Sequence, residues 1–342
     1  MQLKKASQRS GIIGSADDVT SVVLAAMQDA PNARLRELAD AFVRHMHAFA
    51  REVQLDEAEY GIGIDFLNRI GQATNDSHNE GILFADAIGF STLVCLLNNG
   101  SGGATETAAA LLGPFWRMKS PHTENGGSIV RSPTPGPDLF VAAFVKDAAG
   151  RPVAGAEVDV WQSSPVGLYE NQDATQADMN LRGKFITDAE GRLSFRSVKP
   201  AGYPVPTAGP VGDMLRAQKR HPYRPAHLHF LIFKPGFKTL ITQIFVDDDK
   251  NLESDVVFGV TRELVGDFRR HDAGAPPAVD VKRPGSRSTP PLSWRKAKPG
   301  FPCRPSNELS RRRDRTSDAL QRSIPCVTRA TRSSSPAPSP AT

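Results

Sequence analysis

The sequence predicts a mainly β protein with α-helices, in which a β-sandwich domain follows a helical domain. Between about residues 105 and 281, short apolar runs such as LFVAAFV, HLHFLIF and ITQIFV alternate with turn segments such as DAAG, DAEG and KPAG. This spacing is typical of a sandwich of short strands. In the preceding residues the apolar side chains instead recur at helical spacing, which predicts helices there.

Residues 1–104 are predicted to form the helical domain. Six apolar side chains recur three or four positions apart and predict a helix with one apolar face: Leu35, Leu38, Phe42, Val43, Met46 and Phe49. Asp56 is placed to cap the next helix. The later run GILFADAIGFSTLVCLLNN is apolar nearly all round, which predicts a buried helix.

The basic charge is concentrated in residues 282–342. The formal net charge of the 342 residues is +5, yet this last segment alone carries 14 Lys and Arg against 3 Asp and Glu. The rest of the chain is therefore mildly acidic, and its composition gives no support to nucleic-acid binding by the folded part. An alternative interpretation makes the basic segment itself a nucleic-acid arm.

Residues 282–342 are predicted to be a disordered tail because they hold 11 Arg, 11 Ser and 10 Pro and few apolar residues. The composition changes abruptly at Lys282. We hypothesise that the chain from there onward is a frameshift product, which would replace an apolar stretch that normally covers the sandwich. A genuine disordered extension is the alternative.

The composition also bears on location. No apolar run of about 18 residues is present, so no transmembrane span is expected, and the N-terminus lacks the apolar core of a secretory signal. Three cysteines, Cys95, Cys303 and Cys326, are too few for a disulfide framework. A cytoplasmic location is therefore expected.

Two histidines and two tyrosines are candidate metal ligands. His227 and His229 are two positions apart in HLHFLIF, so on a strand they lie on the same face. Tyr169 and Tyr203 lie in turn-rich segments of the same region. Two phenolates with two imidazoles would favour iron(III). Taken alone, the histidines equally fit a half-buried strand, and each tyrosine fits an ordinary packed aromatic.

Longer motifs resemble a known family. The run GPFW, followed by PVAGAEVDVWQSSPVGLYENQD, LRGKFITDAEGRLSFRSVKPAGYPVP, HPYRPAHLHF and TQIFVDDD, resembles the intradiol ring-cleavage dioxygenases over about residues 20–280. The resemblance implies a non-haem iron(III) enzyme that uses O2, with Tyr169, Tyr203, His227 and His229 as iron ligands. It also implies that Tyr203 acts as a base, with Arg224 beside the substrate and Gln243 nearby.

The resemblance is greatest to the hydroxyquinol-cleaving branch, which implies hydroxyquinol or a chlorinated hydroxyquinol as substrate and maleylacetate as product. The segment GPF, Gly113 to Phe115, resembles that branch, as does a helix on which Leu83 and Asp86 share a face. Asp86 would meet the third hydroxyl of the substrate. The expected substrate wall is Leu83, Asp86, Leu112, Gly113, Pro114, Phe115, Val205, Pro206 and Val257.

Alternatives remain open at this point. Within the family, the chain could cleave catechol or chlorocatechol to cis,cis-muconate. Outside it, the chain could be a non-enzymatic β-sandwich binding module. The resemblance further implies a homodimer through the helical domain, with a phospholipid possible between the subunits.

Overall fold

Three helices make up the first of two units in this computed structural model, which describes residues 11–75, 78–99 and 107–268. They are α1 (Asp18–Ala26), α2 (Ala33–Glu52) and α3 (Glu57–Ala73). The Asn32 side chain caps α2 by accepting from the Leu35 N–H, and Asp56 caps α3 in a reciprocal capping box with Glu59. The predicted cap at Asp56 is thus confirmed.

The second unit begins at residue 76. The predicted domain limits at 104 and 281, and the whole tail from 282, lie outside the described residues. These limits, the disorder of the tail and the frameshift therefore stay predictions.

Two helices occupy the run for which one helix was predicted. They are α4 (Glu80–Ala87) and α5 (Phe90–Asn99), and they meet at a bend of 78°. Gly89, between them, has a φ of +73°, a left-handed conformation that ends α4. Of this run only Leu83 and Ala87 are buried and no residue of α5 is, so the prediction that the run forms a buried helix is wrong.

The same pair bears on membrane insertion. Within the described residues, no single helix has the length and apolar composition needed to cross a membrane. Helices α4 and α5 have that length and composition only when they are taken together, as a bent pair.

The strands form antiparallel sheets, as the alternating apolar runs predicted. Their bounds are β1 (Asp138–Phe144), β2 (Glu157–Gln162), β3 (Arg182–Ile186), β4 (Arg192–Val198), β5 (Tyr203–Pro204), β6 (Tyr223–Arg224), β7 (His227–Phe233) and β8 (Leu240–Phe245). A short helix, α6 (Pro210–Ala217), separates β5 from β6. The largest sheet has the order β3-β2-β7-β8, while β1 pairs with β4 and β5 with β6.

The core lies between the β1–β4 pair and one face of the four-stranded sheet. Apolar side chains from both sheets pack in one cluster, including Leu139 and Phe195 from the pair and Val158, Val160 and Phe230 from the larger sheet. Because side chains alternate along a strand, the residues between these core positions face the other way. That opposite face of the four-stranded sheet carries the candidate site.

Candidate functional site

One row of side chains crosses all four strands of the larger sheet. Arg182 on β3 pairs with Trp161 on β2, Trp161 pairs with His229 on β7, and His229 pairs with Gln243 on β8. All four are at most 1% exposed. Directly paired residues of antiparallel strands point to the same face of the sheet. The four side chains of this row therefore lie next to one another on one face, beneath the loops that cover the sheet.

The two histidines of β7 face each other. The Nε2 atoms of His227 and His229 are 3.0 Å apart, which confirms the prediction that the two rings share a face. Nδ1 of His227 lies 2.7 Å from the Pro225 carbonyl oxygen, and since a carbonyl only accepts, this nitrogen carries the proton. The Nε2 of His227 is therefore unprotonated and carries a lone pair, the form in which imidazole binds a metal.

Both histidines are neutral in the folded protein. Burial, assisted by the charge of Arg224, lowers the pKa of His227 to about 3. Burial, with His227 and Arg224 as further causes, holds the pKa of His229 well below its ordinary value. The indole of Trp161 stacks on His229, with ring centroids 4.6 Å apart and planes at 8°, and so fixes the orientation of the imidazole.

The two tyrosines approach the histidines from separate loops. Tyr169 precedes a short 3-10 turn, and Tyr203 begins β5, whose partner strand carries Arg224. The two phenol rings contact edge to face with centroids 5.4 Å apart, and Tyr203 lies 5.6 Å from the ring of His227. The structure therefore brings all four candidate ligands together.

The environment of Tyr169 disfavours ionisation of its phenol. Burial raises the pKa of Tyr169 well above its usual value, and the neighbouring Tyr203 raises it further. Its hydroxyl is buried and has no hydrogen-bond partner among the described residues. A buried polar atom without a partner is uncommon and calls for an ion, a water molecule or a ligand.

Buried polar atoms without partners are concentrated in this region. Eight side chains carry such atoms within the described ranges, and five of them belong to this site: Trp161, Arg182 and His229 of the row, Tyr169, and its neighbour Glu170. The orphaned phenol, the converging imidazole nitrogens and the mixed oxygen and nitrogen donors fit a hard, imidazole-binding cation such as iron(III).

Arg224 is buried beside the candidate ligands and is held on three sides. Its guanidinium donates to both oxygens of Asp255, at 3.2 and 3.1 Å, and to the Gln243 side-chain oxygen at 2.9 Å. A third nitrogen, Nη1, lies 3.4 Å from Nε2 of His227. Burial alone would lower the pKa of Arg224, but Asp255 together with Tyr203 and Tyr169 outweighs it and raises the pKa, so the charge is permanent.

Gln243 connects Arg224 to the segment that covers the sheet. Its side-chain nitrogen donates to the Leu111 carbonyl oxygen at 2.6 Å, while its side-chain oxygen accepts from Arg224. Gln243 itself is fully buried. It therefore holds the covering segment and the arginine in a fixed relation.

The segment from Leu111 to Trp116 forms one wall of the site. Leu112 and Phe115 pack against the cluster of Trp161, Tyr169 and Tyr203, and the Phe115 ring stacks on Tyr169 at 4.2 Å. Gly113 has a φ of +73°, and a Cβ there would lie 3.3 Å from the His229 ring. Glycine is therefore favoured at this position for two reasons, the positive φ and the short distance to the His229 ring.

A second apolar cluster holds three more of the predicted wall residues. Leu83, Val205 and Val257 are all buried in it, and Leu111 packs against it. The two clusters adjoin along the chain, since Leu112 follows Leu111 and Val205 lies two residues after Tyr203. The remaining predicted wall residues Pro114 and Pro206 are exposed to solvent.

Asp86 lies on α4, half-buried next to this cluster. Burial raises the pKa of Asp86, while a hydrogen bond from Ser91 and the charge of Arg224 oppose the rise. Arg224 thus acts electrostatically on Asp86 as well as on the histidines. A half-buried carboxyl with a raised pKa is suited to exchange a hydrogen bond with a hydroxyl group.

Helix α4 is fastened at both ends within its unit. At its start, the buried Glu80 accepts from the Val211 N–H at 2.9 Å and so caps α6. At its end, Arg220 donates to the carbonyl oxygens of Ala87 and Val256, at 2.7 and 2.8 Å. These contacts set where Leu83 and Asp86 lie.

Several buried residues of the site escaped the sequence reasoning. Trp161, Glu170, Arg182 and Asp255 act through long-range contacts, and their local sequence patterns do not show that they belong to a buried site. Glu170 is a neighbour of Tyr169 along the chain, which was the one available signal.

Comparison with known proteins identifies the family. A "Dioxygenase" family model matches residues 111–282, and a "Catechol dioxygenase N terminus" model matches residues 32–105. The chain belongs to the intradiol ring-cleavage dioxygenases. It is therefore a dioxygenase with a helical N-terminal region and a catalytic β region, as the resemblance implied.

Named members of the intradiol family differ in the substrate that their names state. The chain is 43% identical to a catechol 1,2-dioxygenase of Candida albicans, over 71% of this chain and 81% of that one. It is also 43% identical to a hydroxyquinol 1,2-dioxygenase of a Rhizobium species, over 72% and 84%. A solved hydroxyquinol 1,2-dioxygenase from Pseudomonas putida superposes with a TM-score of 0.70 at 39% identity, over 74% and 88%.

Proposed function

We propose that this chain is a non-haem iron(III) dioxygenase that cleaves hydroxyquinol with O2 to give maleylacetate, or a chlorinated hydroxyquinol to give the corresponding chlorinated product. The convergence of two buried phenols and two buried imidazoles carries the proposal, with Nε2 atoms 3.0 Å apart and an orphaned Tyr169 hydroxyl. Cleavage of catechol or chlorocatechol to cis,cis-muconate is the alternative, supported by the catechol-cleaving relative.

Four side chains would hold the iron: Tyr169, Tyr203, His227 and His229. When bound, iron(III) would keep a phenol ionised at neutral pH and make the bound aromatic ring reactive toward O2. The histidines need no deprotonation for this, since their low pKa values leave both imidazoles neutral. The stacked indole of Trp161 keeps His229 in one orientation.

The chain's own residues would manage the protons and charge of the substrate. A dihydroxybenzene must lose two protons to bind through both oxygens, and the phenolate oxygen of Tyr203 would accept one of them while hydroxide accepts the other. Arg224 would stabilise negative charge that develops on the ring, because its guanidinium is held permanently charged by Asp255. The flanking wall of Leu112 and Phe115 would exclude water from the reacting ring.

Asp86 would supply the preference for hydroxyquinol. It lies on the same face of α4 as the buried Leu83, one turn away, and it is within the electrostatic reach of Arg224. A carboxyl placed to bind the third hydroxyl discriminates against a ring that lacks it, because the carboxyl is then left half-buried and unpaired.

Spectroscopy and turnover together test the proposal. Purified protein is expected to be red-brown with one iron per chain, and to consume O2 with hydroxyquinol faster than with catechol. A colourless protein that binds no iron would favour the binding-module alternative and overturn the proposal. Faster turnover of catechol with formation of cis,cis-muconate would replace the substrate while keeping the chemistry.

We further propose a cytoplasmic homodimer that forms through the helical region. The apolar side chains on one face of α2 support this: Leu35, Leu38, Phe42, Met46 and Phe49 are each 48–67% exposed in the single chain. An exposed apolar face of this kind is usually covered by a partner. A phospholipid between subunits is the accompanying hypothesis, and mass spectrometry of a solvent extract of the protein tests it.

A further inference from the structure

We propose that Arg182 is a positioning residue that fixes Tyr169 and the wall residue Phe115 as a single unit. The inference rests on the proposed function, because it gives Arg182 a role toward a candidate iron ligand. Arg182 is 1% exposed and stands at the end of the row that runs through Trp161 and His229.

The guanidinium of Arg182 connects two residues next to Tyr169: Glu170, its neighbour in the chain, and Phe115, its neighbour in space. Its Nε donates to Glu170 Oε1 at 2.7 Å, and Glu170 is the residue that follows Tyr169. Its Nη1 donates to the Phe115 carbonyl oxygen at 2.6 Å, and the Phe115 ring stacks on Tyr169. One rigid planar group therefore sets the position of the tyrosine backbone and of the ring that packs against it.

A second feature of Arg182 points toward the phenol. Its Cζ lies 6.0 Å from the centroid of the Tyr169 ring, at the distance of a cation–π contact. Such a contact strengthens when the ring becomes richer in electrons, as it does when the phenol oxygen carries negative charge. The remaining nitrogen, Nη2, is buried with no partner among the described residues.

Lysine could not replace this group. An ammonium is a single point charge, whereas the guanidinium presents donors in a fixed fork that reaches Glu170 and the Phe115 carbonyl together. Arg182→Lys therefore separates the charge from the bridging geometry, and Arg182→Gln removes the charge.

Arg117 offers a matched control. It also donates to Glu170 Oε1, at 2.7 Å, but its side chain is 35% exposed. Its described contacts lead to Glu170 and the exposed Asp178, and none leads to the Phe115 carbonyl or the Tyr169 ring. Arg117→Gln removes a guanidinium from the same carboxylate without removing the bridge.

The experiment compares the iron-loaded variants by visible spectrum, by iron affinity in a chelator competition, and by the unfolding midpoint of the metal-free protein. Arg182→Gln and Arg182→Lys are expected to shift the iron–phenolate band and to weaken iron binding by about 10–100-fold. Arg117→Gln is expected to leave the band in place. A purely structural role would lower the unfolding midpoint without shifting the band.

The outcomes separate this inference from the proposed function. If the wild-type chain has no band and binds no iron, the proposed function fails. If the wild type has both and the folded Arg182 variants keep the wild-type band and iron affinity, the positioning role is overturned. Should Arg182→Gln fail to fold, Arg182→Lys, which keeps the buried charge, decides between these results.

Discussion

The guanidinium of Arg224 is held by both oxygens of the Asp255 carboxylate, at 3.2 and 3.1 Å, and both side chains are almost fully buried. Asp255 also accepts from the backbone N–H groups of Val257 and Gly259. The carboxylate therefore ties the arginine to the 255–259 segment, which contributes Val257 to the second apolar cluster.

Asp255→Asn is expected to destabilise the protein by about 3–5 kcal/mol at neutral pH, since it leaves Arg224 charged, buried and unpaired. Burial alone would raise the pKa of Asp255, but Arg224, with smaller contributions from His227 and the Val257 N–H, outweighs it and lowers the pKa. The stabilisation from ionised Asp255 is then complete above the unfolded-state value of about 3.9 and is lost as the pH falls through the folded-state pKa.

Urea unfolding of wild type and Asp255→Asn at neutral and acid pH tests this prediction. The difference between their unfolding free energies should shrink below about pH 4. Asp248→Asn is the control, because the Lys199–Asp248 pair is exposed and contributes at most about 1 kcal/mol. An equal loss in both variants at neutral pH would contradict the role of burial.

Gly113→Ala is expected to shift the visible spectrum and reduce turnover, because the new Cβ would meet the His229 ring at 3.3 Å. Gly126→Ala is the matched control, since its φ of +81° imposes a similar backbone strain but nothing lies within 4 Å of the added Cβ. Each variant should lose about 1–2 kcal/mol of stability from that strain. Equal spectra and turnover for the two alanine variants would rule out the contact as the cause.

Asp86→Ala is expected to lower the preference for hydroxyquinol over catechol by about 1–3 kcal/mol, the size of a lost hydrogen bond to a charged group. The ratio of kcat/KM for the two substrates measures it. Ser91→Ala is the companion variant, because it removes the hydrogen bond to Asp86 but keeps the carboxyl. An unchanged ratio in Asp86→Ala would assign the preference to the apolar wall instead.

Phe42→Ser is expected to weaken the proposed homodimer by at least about 1 kcal/mol per chain, because Phe42 is the most exposed member of the apolar face of α2 at 67%. Sedimentation across a concentration series measures it. Arg44→Ser, on the same helix and also exposed, should leave the dimer intact. A wild-type chain that sediments as a monomer at micromolar concentration would contradict the dimer itself.

The strands and helices with regular apolar patterns could be predicted from the sequence. The run HLHFLIF is β7 without a shift at either end, and the capping residue of α3 was evident from Asp56. These features depend on neighbours in the chain, where periodicity is informative. Strand β3, RGKFI, was not singled out, since the charged Arg182 and Lys184 interrupt its apolar residues.

The break between α4 and α5 and the charged supports of the site could not be predicted in the same way. Gly89 within an apolar run gave no sign that it would adopt a positive φ. Arg182 and Asp255 resemble surface residues in sequence, and only contacts with residues 67 and 31 positions away make them internal. The family resemblance supplied the four candidate ligands, but not the groups that hold them.

The candidate histidine ligands and helix α4 are held in place by different kinds of contact, and this bears on how the specificity of such an enzyme can be altered. The two candidate histidine ligands depend on the strand register of the four-stranded sheet, where a change at one position disturbs its neighbours on both sides. Helix α4, by contrast, is held by two contacts with backbone groups: Glu80 accepts from the Val211 N–H, and Arg220 donates to the Ala87 carbonyl oxygen. Substitutions on α4 at positions other than Glu80 leave both contacts in place. The face of α4 can therefore be redesigned for a new ring substituent, residue by residue, and under the proposed function the colour of the protein would report whether the metal centre is intact.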